Sequence, residues 1–103
     1  MGLLMNTSFE ISGYKLVETC SACPEQYDVF DGAGDLAAYL RFRFGRFTCE
    51  VPYVGGEMIY EAEPYPDDRM IGWFDDVGTR DFHLGEAIDA VVKYYATRRE
   101  IFI

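Results

Sequence analysis

Side chains able to hold a metal or run nucleophilic chemistry are scarce here: one histidine and three cysteines in 103 residues. The cysteines are Cys20, Cys23 and Cys49, and an odd count without a secretion signal points to reduced thiols, not a disulfide framework. Cations are few as well. Nine Lys and Arg face eighteen Asp and Glu, for a net charge of −9. Recognition of nucleic acid through phosphates requires a basic patch, so direct binding of DNA or RNA is not expected. No apolar run approaches the length of a membrane span, and no membrane partner is expected. The opening MGLLMNTS has neither the basic nor the apolar region of a signal peptide, so the expected location is cytoplasmic, with residues 1–7 a frayed terminus.

What is present argues for a folded chain. Half the residues are hydrophobic and 17% are aromatic, which weighs against disorder despite the charge. The length fits a single domain over 1–103 with one core.

The stretch LAAYLRFRFGRFTCEVPY alternates with period two, the mark of strands. Leu36, Ala38, Leu40, Phe42 and Phe44 fall on one face, and Tyr39, Arg41 and Arg43 on the other. A type II′ turn at Gly45-Arg46 pairs Phe44 with Phe47, Phe42 with Cys49 and Leu40 with Val51 inward. Outward, the same register sets Arg43 against Thr48 and Arg41 against Glu50. A turn at Gly55-Gly56 then sets Val51 against Tyr60, Cys49 against Ala62 and Tyr53 against Met58. The DGAGD turn (31–35) sets Val29 against Ala38 and Tyr27 against Leu40. Four antiparallel strands result, near 26–31, 36–44, 46–53 and 57–63. Residues 8–18 add a fifth, with Gly13 a bulge or bend.

Leu84, Ala87, Ile88, Val91, Val92 and Tyr95 recur at helical spacing. His83 or Asp81 can cap this helix, with Glu86 completing a capping box after His83. The expected fold is α+β: an antiparallel meander of four to five strands with one C-terminal amphipathic helix packed on one face. The EIFI tail either closes a sheet edge or packs under the helix.

Few residues suggest chemistry. Cys20 and Cys23 have metal-ligand spacing, yet a structural zinc needs four ligands, and Cys49 points into the core in this register. A redox role for the CSAC motif lacks the helix that should follow it. His83 with Cys23 or Cys49 makes a weak nucleophile–base pair, for which no strained turn or oxyanion site is visible. Arg41 and Arg43 are expected to be neutralised across the sheet by Glu50, Glu61 and Glu63. No cofactor is expected.

The acidic stretch EAEPYPDDRMIGWFDD remains. Eight carboxylates lie between Glu57 and Asp81 against Arg69 and Arg80 alone. Glu61, Glu63, Asp67, Asp68, Asp75 and Asp76 match no EF-hand loop and no paired-carboxylate glycosidase. The connection 64–82 is long for a domain this small. Within it, Met70, Ile71, Trp73 and Phe74 either cover a sheet edge or present Trp73 and Phe74 as an anchor in a carboxylate rim.

The block CPEQYDVF…AAYLRFRFGRFTCEVPYVGGEMIYEAEP…FHLGEAIDAVVKYY, spanning roughly residues 20–96, resembles small bacterial proteins of uncharacterised activity carried by phages and other mobile elements. The resemblance implies a host protein as partner, including nucleic-acid-binding nucleases engaged by carboxylates in place of phosphates. DGAGDLAAYLRF is similar to the early hairpin of GNAT acetyltransferases, but the pyrophosphate-binding turn before a helix is missing. The expected role is a non-catalytic protein-binding module acting through 61–76. A structural zinc protein and a small Cys/His enzyme are the alternatives. A sheet edge or the Ile101–Ile103 tail also offers a homodimer contact.

Overall fold

The computed structural model describes residues 8–21 and 24–101, with Arg99, Glu100 and Ile101 as backbone only. The segment 1–7, Cys23 and residues 102–103, on which some expectations rest, lie outside the described residues.

The fold is α+β, with six strands: β1 (Ser8–Ile11), β2 (Tyr14–Cys20), β3 (Glu25–Phe30), β4 (Leu36–Arg43), β5 (Arg46–Val51) and β6 (Glu57–Ala62). They form one antiparallel sheet in the order β1 to β6, and α1 (Val77–Ile101) follows. The stretch 8–18 is therefore a hairpin, not one bulged strand. Ser12 and Gly13 both take positive φ and let Ile11 face Tyr14. A two-residue turn moves the inward side chains from odd to even numbers, which in a linear reading looks like an inserted bulge residue.

The β3–β4 register is the expected one, with Tyr27 opposite Leu40 and Val29 opposite Ala38. An irregularity at Phe30 then turns Ala37 inward and leaves Leu36 exposed, against the expected phase. Between β4 and β5 the turn is Phe44-Gly45, both with positive φ, instead of Gly45-Arg46. Leu40 now faces Cys49, Phe42 faces Phe47 and Arg43 faces Arg46. A shift of two residues preserves which side chains point inward while changing every partner. Phe44, expected inside, sits on the turn with 61% of its surface exposed.

The β5–β6 pairing is also displaced by two: Cys49 faces Tyr60 and Phe47 faces Ala62. A bulge after Cys49 then brings Glu50 opposite Met58, so the Gly55-Gly56 turn widens and Tyr53 and Val54 are exposed.

The helix starts one residue after Asp76 rather than near Leu84. Asp76 Oδ2 accepts a hydrogen bond from the Thr79 amide at 2.8 Å, the N-cap arrangement, and replaces His83 and Asp81 in that role. The first two turns carry no helical apolar period, because Val77 to Phe82 place little apolar surface on the core face. Leu84, Ala87, Ile88 and Val91 are buried against the sheet, while Val92 is exposed. The Tyr95 hydroxyl donates to the Ala37 carbonyl at 2.6 Å and pins the far end of the helix to β4. At the tail, the helix continues through Ile101, so that residue does not join the sheet edge.

Candidate functional site: a strap across the sheet end

Residues 63–76 lead from β6 back to α1 and cross the lower ends of β3, β4 and β5. Three hydrogen bonds hold this strap. The Gly45 amide donates to Ile71 O at 2.8 Å, the Glu25 amide donates to Gly72 O at 2.7 Å, and the Phe74 amide donates to Glu25 Oε1 at 2.8 Å. Gly45 is needed here: its φ is +78°, and a Cβ would stand 3.0 Å from Arg69 Cα.

The strap serves two surfaces at once. Ile71 is only 8% exposed, and the Phe74 ring lies edge-on to Phe42 and Phe47 with centroids 4.7 and 5.0 Å away. Met70 and Trp73, their neighbours, are 73% and 44% exposed. The stretch is therefore divided between two faces. Ile71 and Phe74 cover the sheet end, while Met70 and Trp73 are exposed. Phe74, expected with Trp73 in the anchor, belongs to the core side.

Tyr65 fixes the return to the helix. Its ring stacks near Phe42, its hydroxyl donates to Asp76 Oδ1 at 2.7 Å, and it accepts from the Asp75 amide at 2.8 Å. The Thr79 amide and the Tyr65 hydroxyl hold the Asp76 carboxyl below its ordinary range. Asp76 is thus committed to the fold. Asp68 accepts from the Met70 amide at 3.1 Å, and Glu61 is paired with Arg46. Glu63, Asp67 and Asp75 are exposed, with no side-chain hydrogen bond or ion pair among the described residues.

One titratable side chain is buried under the strap. Glu25 is 4% exposed and accepts from the Tyr27 hydroxyl as well as the Phe74 amide. Burial pushes its carboxyl up, and the two hydrogen bonds oppose that shift. No periodicity singled out Glu25, because its parity is that of a core position on β3. Tyr65 was equally hidden, since its role depends on backbone amides ten residues away.

The alternatives find little here. Cys49 is fully buried and its thiol is pushed up to about 12, the opposite of an activated nucleophile. Cys20 and Cys49 are both free thiols. Cys23, the other candidate ligand and nucleophile, lies outside the described residues. Among the described residues, no three His, Cys, Asp or Glu side chains group to hold a metal. His83 is not a cap. Its Nδ1 is 2.8 Å from the Tyr60 hydroxyl and its ring stacks on Phe74, with burial lowering its pKa.

Arg41 and Arg43 also depart from expectation. The two-residue shift sets Arg41 against Thr48 and Arg43 against Arg46, so neither meets Glu50. No helix among the described residues is long and apolar enough to cross a membrane. No family model, curated protein or solved structure matches the chain.

Proposed function

We propose that this protein is a non-catalytic binding module whose strap end engages another protein. The observation that carries this reading is the outward placement of Met70 and Trp73 on a backbone bonded to β3 and to the β4–β5 turn. A pre-ordered aromatic anchor loses little conformational entropy when it binds. Tryptophan in such a setting is enriched at interface hot spots. Asp67, Asp75 and Glu63, exposed on the same strap, add negative charge that favours a basic partner and steers its approach. A kinship of residues 20–96 with small proteins of phages and other mobile elements would make that partner a bacterial host protein, such as one whose own ligand is nucleic acid. Cytoplasmic action belongs to the same proposal.

Capture from bacterial lysate by the immobilised protein across a salt series tests the electrostatic half. Proteins held at low ionic strength should be released as the Debye length shrinks from about 10 Å towards 3 Å. Retention of the same partner at 1 M salt would refute a role for the rim.

A further inference from the structure

The outer sheet face, opposite α1, carries a second charged feature of the other sign. Arg41 and Arg43 share that face of β4, and Arg46 and Thr48 stand across from them on β5. With Phe44, Glu50 and Met58 these side chains line a depression of about 230 Å³. Arg43 is directly opposite Arg46, a like-charge pair that costs stability unless something offsets it. The two nearby carboxylates do not close the site. Glu61 is paired with Arg46, and Glu50 turns its Oε1 towards the Gly55 amide, 2.8 Å away. Arg41 and Arg43 make no ion pair among the described residues. Instead each guanidinium lies over an aromatic ring, Arg41 at 5.9 Å from the Tyr39 centroid and Arg43 at 5.4 Å from that of Phe44. Aromatic support of this kind restricts a guanidinium before any ligand arrives.

From this arrangement we infer that Arg41, Arg43 and Arg46 form a binding site for the phosphoryl group of a small molecule. Guanidinium forks match phosphate oxygens geometrically, and two or more converging on one depression select a multiply charged oxyanion over chloride. The Thr48 hydroxyl, beside them on β5, already donates to the Arg41 carbonyl at 3.4 Å, so the guanidiniums are the donors of this site. A long nucleic acid is disfavoured because three arginines sit in a chain of net charge −9. A single phosphoryl group meets only the local field, which Debye screening isolates from distant carboxylates. The site shares no lining side chain with the proposed Met70 and Trp73 anchor, and either can fail without the other.

The test is an NMR titration at constant ionic strength, following backbone amides of β4 and β5 and the arginine Nε–H signals. Inorganic pyrophosphate and AMP are the probes. Saturable shifts confined to Arg41, Arg43, Arg46 and Thr48, with a Kd of about 1 mM or tighter, are expected. Tighter binding of AMP would identify a nucleotide as the source of the phosphoryl group, and equal binding a free phosphate. The doubly substituted Arg41→Gln, Arg43→Gln protein should bind at least about tenfold more weakly. Its melting temperature should be unchanged or higher, since a like-charge pair has been relieved. Shifts that rise linearly without saturation would overturn the proposal. So would equal binding by the double variant, or binding of a single-stranded oligonucleotide with no response to either small probe.

Discussion

Alanine substitution along the strap should alternate in effect, and the structure sets the size of that alternation. Ile71→Ala removes a nearly buried side chain from the rim of the core, where such changes cost about 2–3 kcal/mol, the lower part of the range for Ile→Ala. Phe74→Ala removes a half-buried ring and its edge-on contacts with Phe42 and Phe47, for about 2–4 kcal/mol. Met70 and Trp73 do not pack on the core cluster, so their replacement should stay within about 1 kcal/mol. With a urea slope of about 1–1.5 kcal/mol/M for a chain this small, the inward variants should lose roughly 2 M in unfolding midpoint. Their melting temperatures should fall by roughly 10–20 °C. Urea and thermal unfolding of the four single variants would measure this. Losses at Met70 or Trp73 equal to those at Ile71 and Phe74 would refute the assignment of faces, and with it the anchor.

Further outcomes follow from three groups beneath and beside the strap: Glu25, His83 and Asp76. Glu25→Ala leaves the Tyr27 hydroxyl and the Phe74 amide without their acceptor, at about 1–3 kcal/mol for each donor that stays unsatisfied, measurable by urea unfolding. Because the Glu25 carboxyl is raised above its ordinary 4.5, the folded chain holds that proton more tightly than the unfolded chain. Stability should therefore fall as pH climbs from 4.5 through the raised value, and the difference between wild type and Glu25→Gln should change over that window alone. His83 should titrate below its ordinary 6.5 by NMR; its contribution is present above 6.5 and is lost as pH falls through the lowered value. A midpoint above 6.5 would contradict the half-buried Tyr60–His83 contact. Asp76→Ala should lower the melting temperature by several degrees through loss of the cap, with Asp76→Asn recovering part of it. The depressed Asp76 carboxyl adds stability above its ordinary 3.8 that disappears as pH drops.

Much of the sheet was legible because period two survives errors of register. Leu40, Phe42, Phe47, Cys49 and Val51 point inward with either turn, so the core followed from alternation alone. The partners did not, since a two-residue shift is invisible to parity. What decides the β4–β5 turn is tertiary: Gly45 must present its amide to Ile71 and its bare α-carbon to Arg69. That same shift undid the expected neutralisation of Arg41 and Arg43 and exposed the cluster described above. The strap was not legible because one short segment alternates between core and solvent around Gly72, with neither strand nor helix period. Within the acidic stretch, composition could not separate Asp76, which caps the helix and binds Tyr65, from the exposed Asp75 beside it.

Capture from bacterial lysate at low salt by wild type and by Trp73→Ala, after both are shown to melt alike, tests the binding surface most directly. The account predicts a partner held by the wild type and lost with Trp73→Ala at equal stability. Undiminished capture by the variant would contradict it, as would a Trp73→Ala protein destabilised to the level of Ile71→Ala.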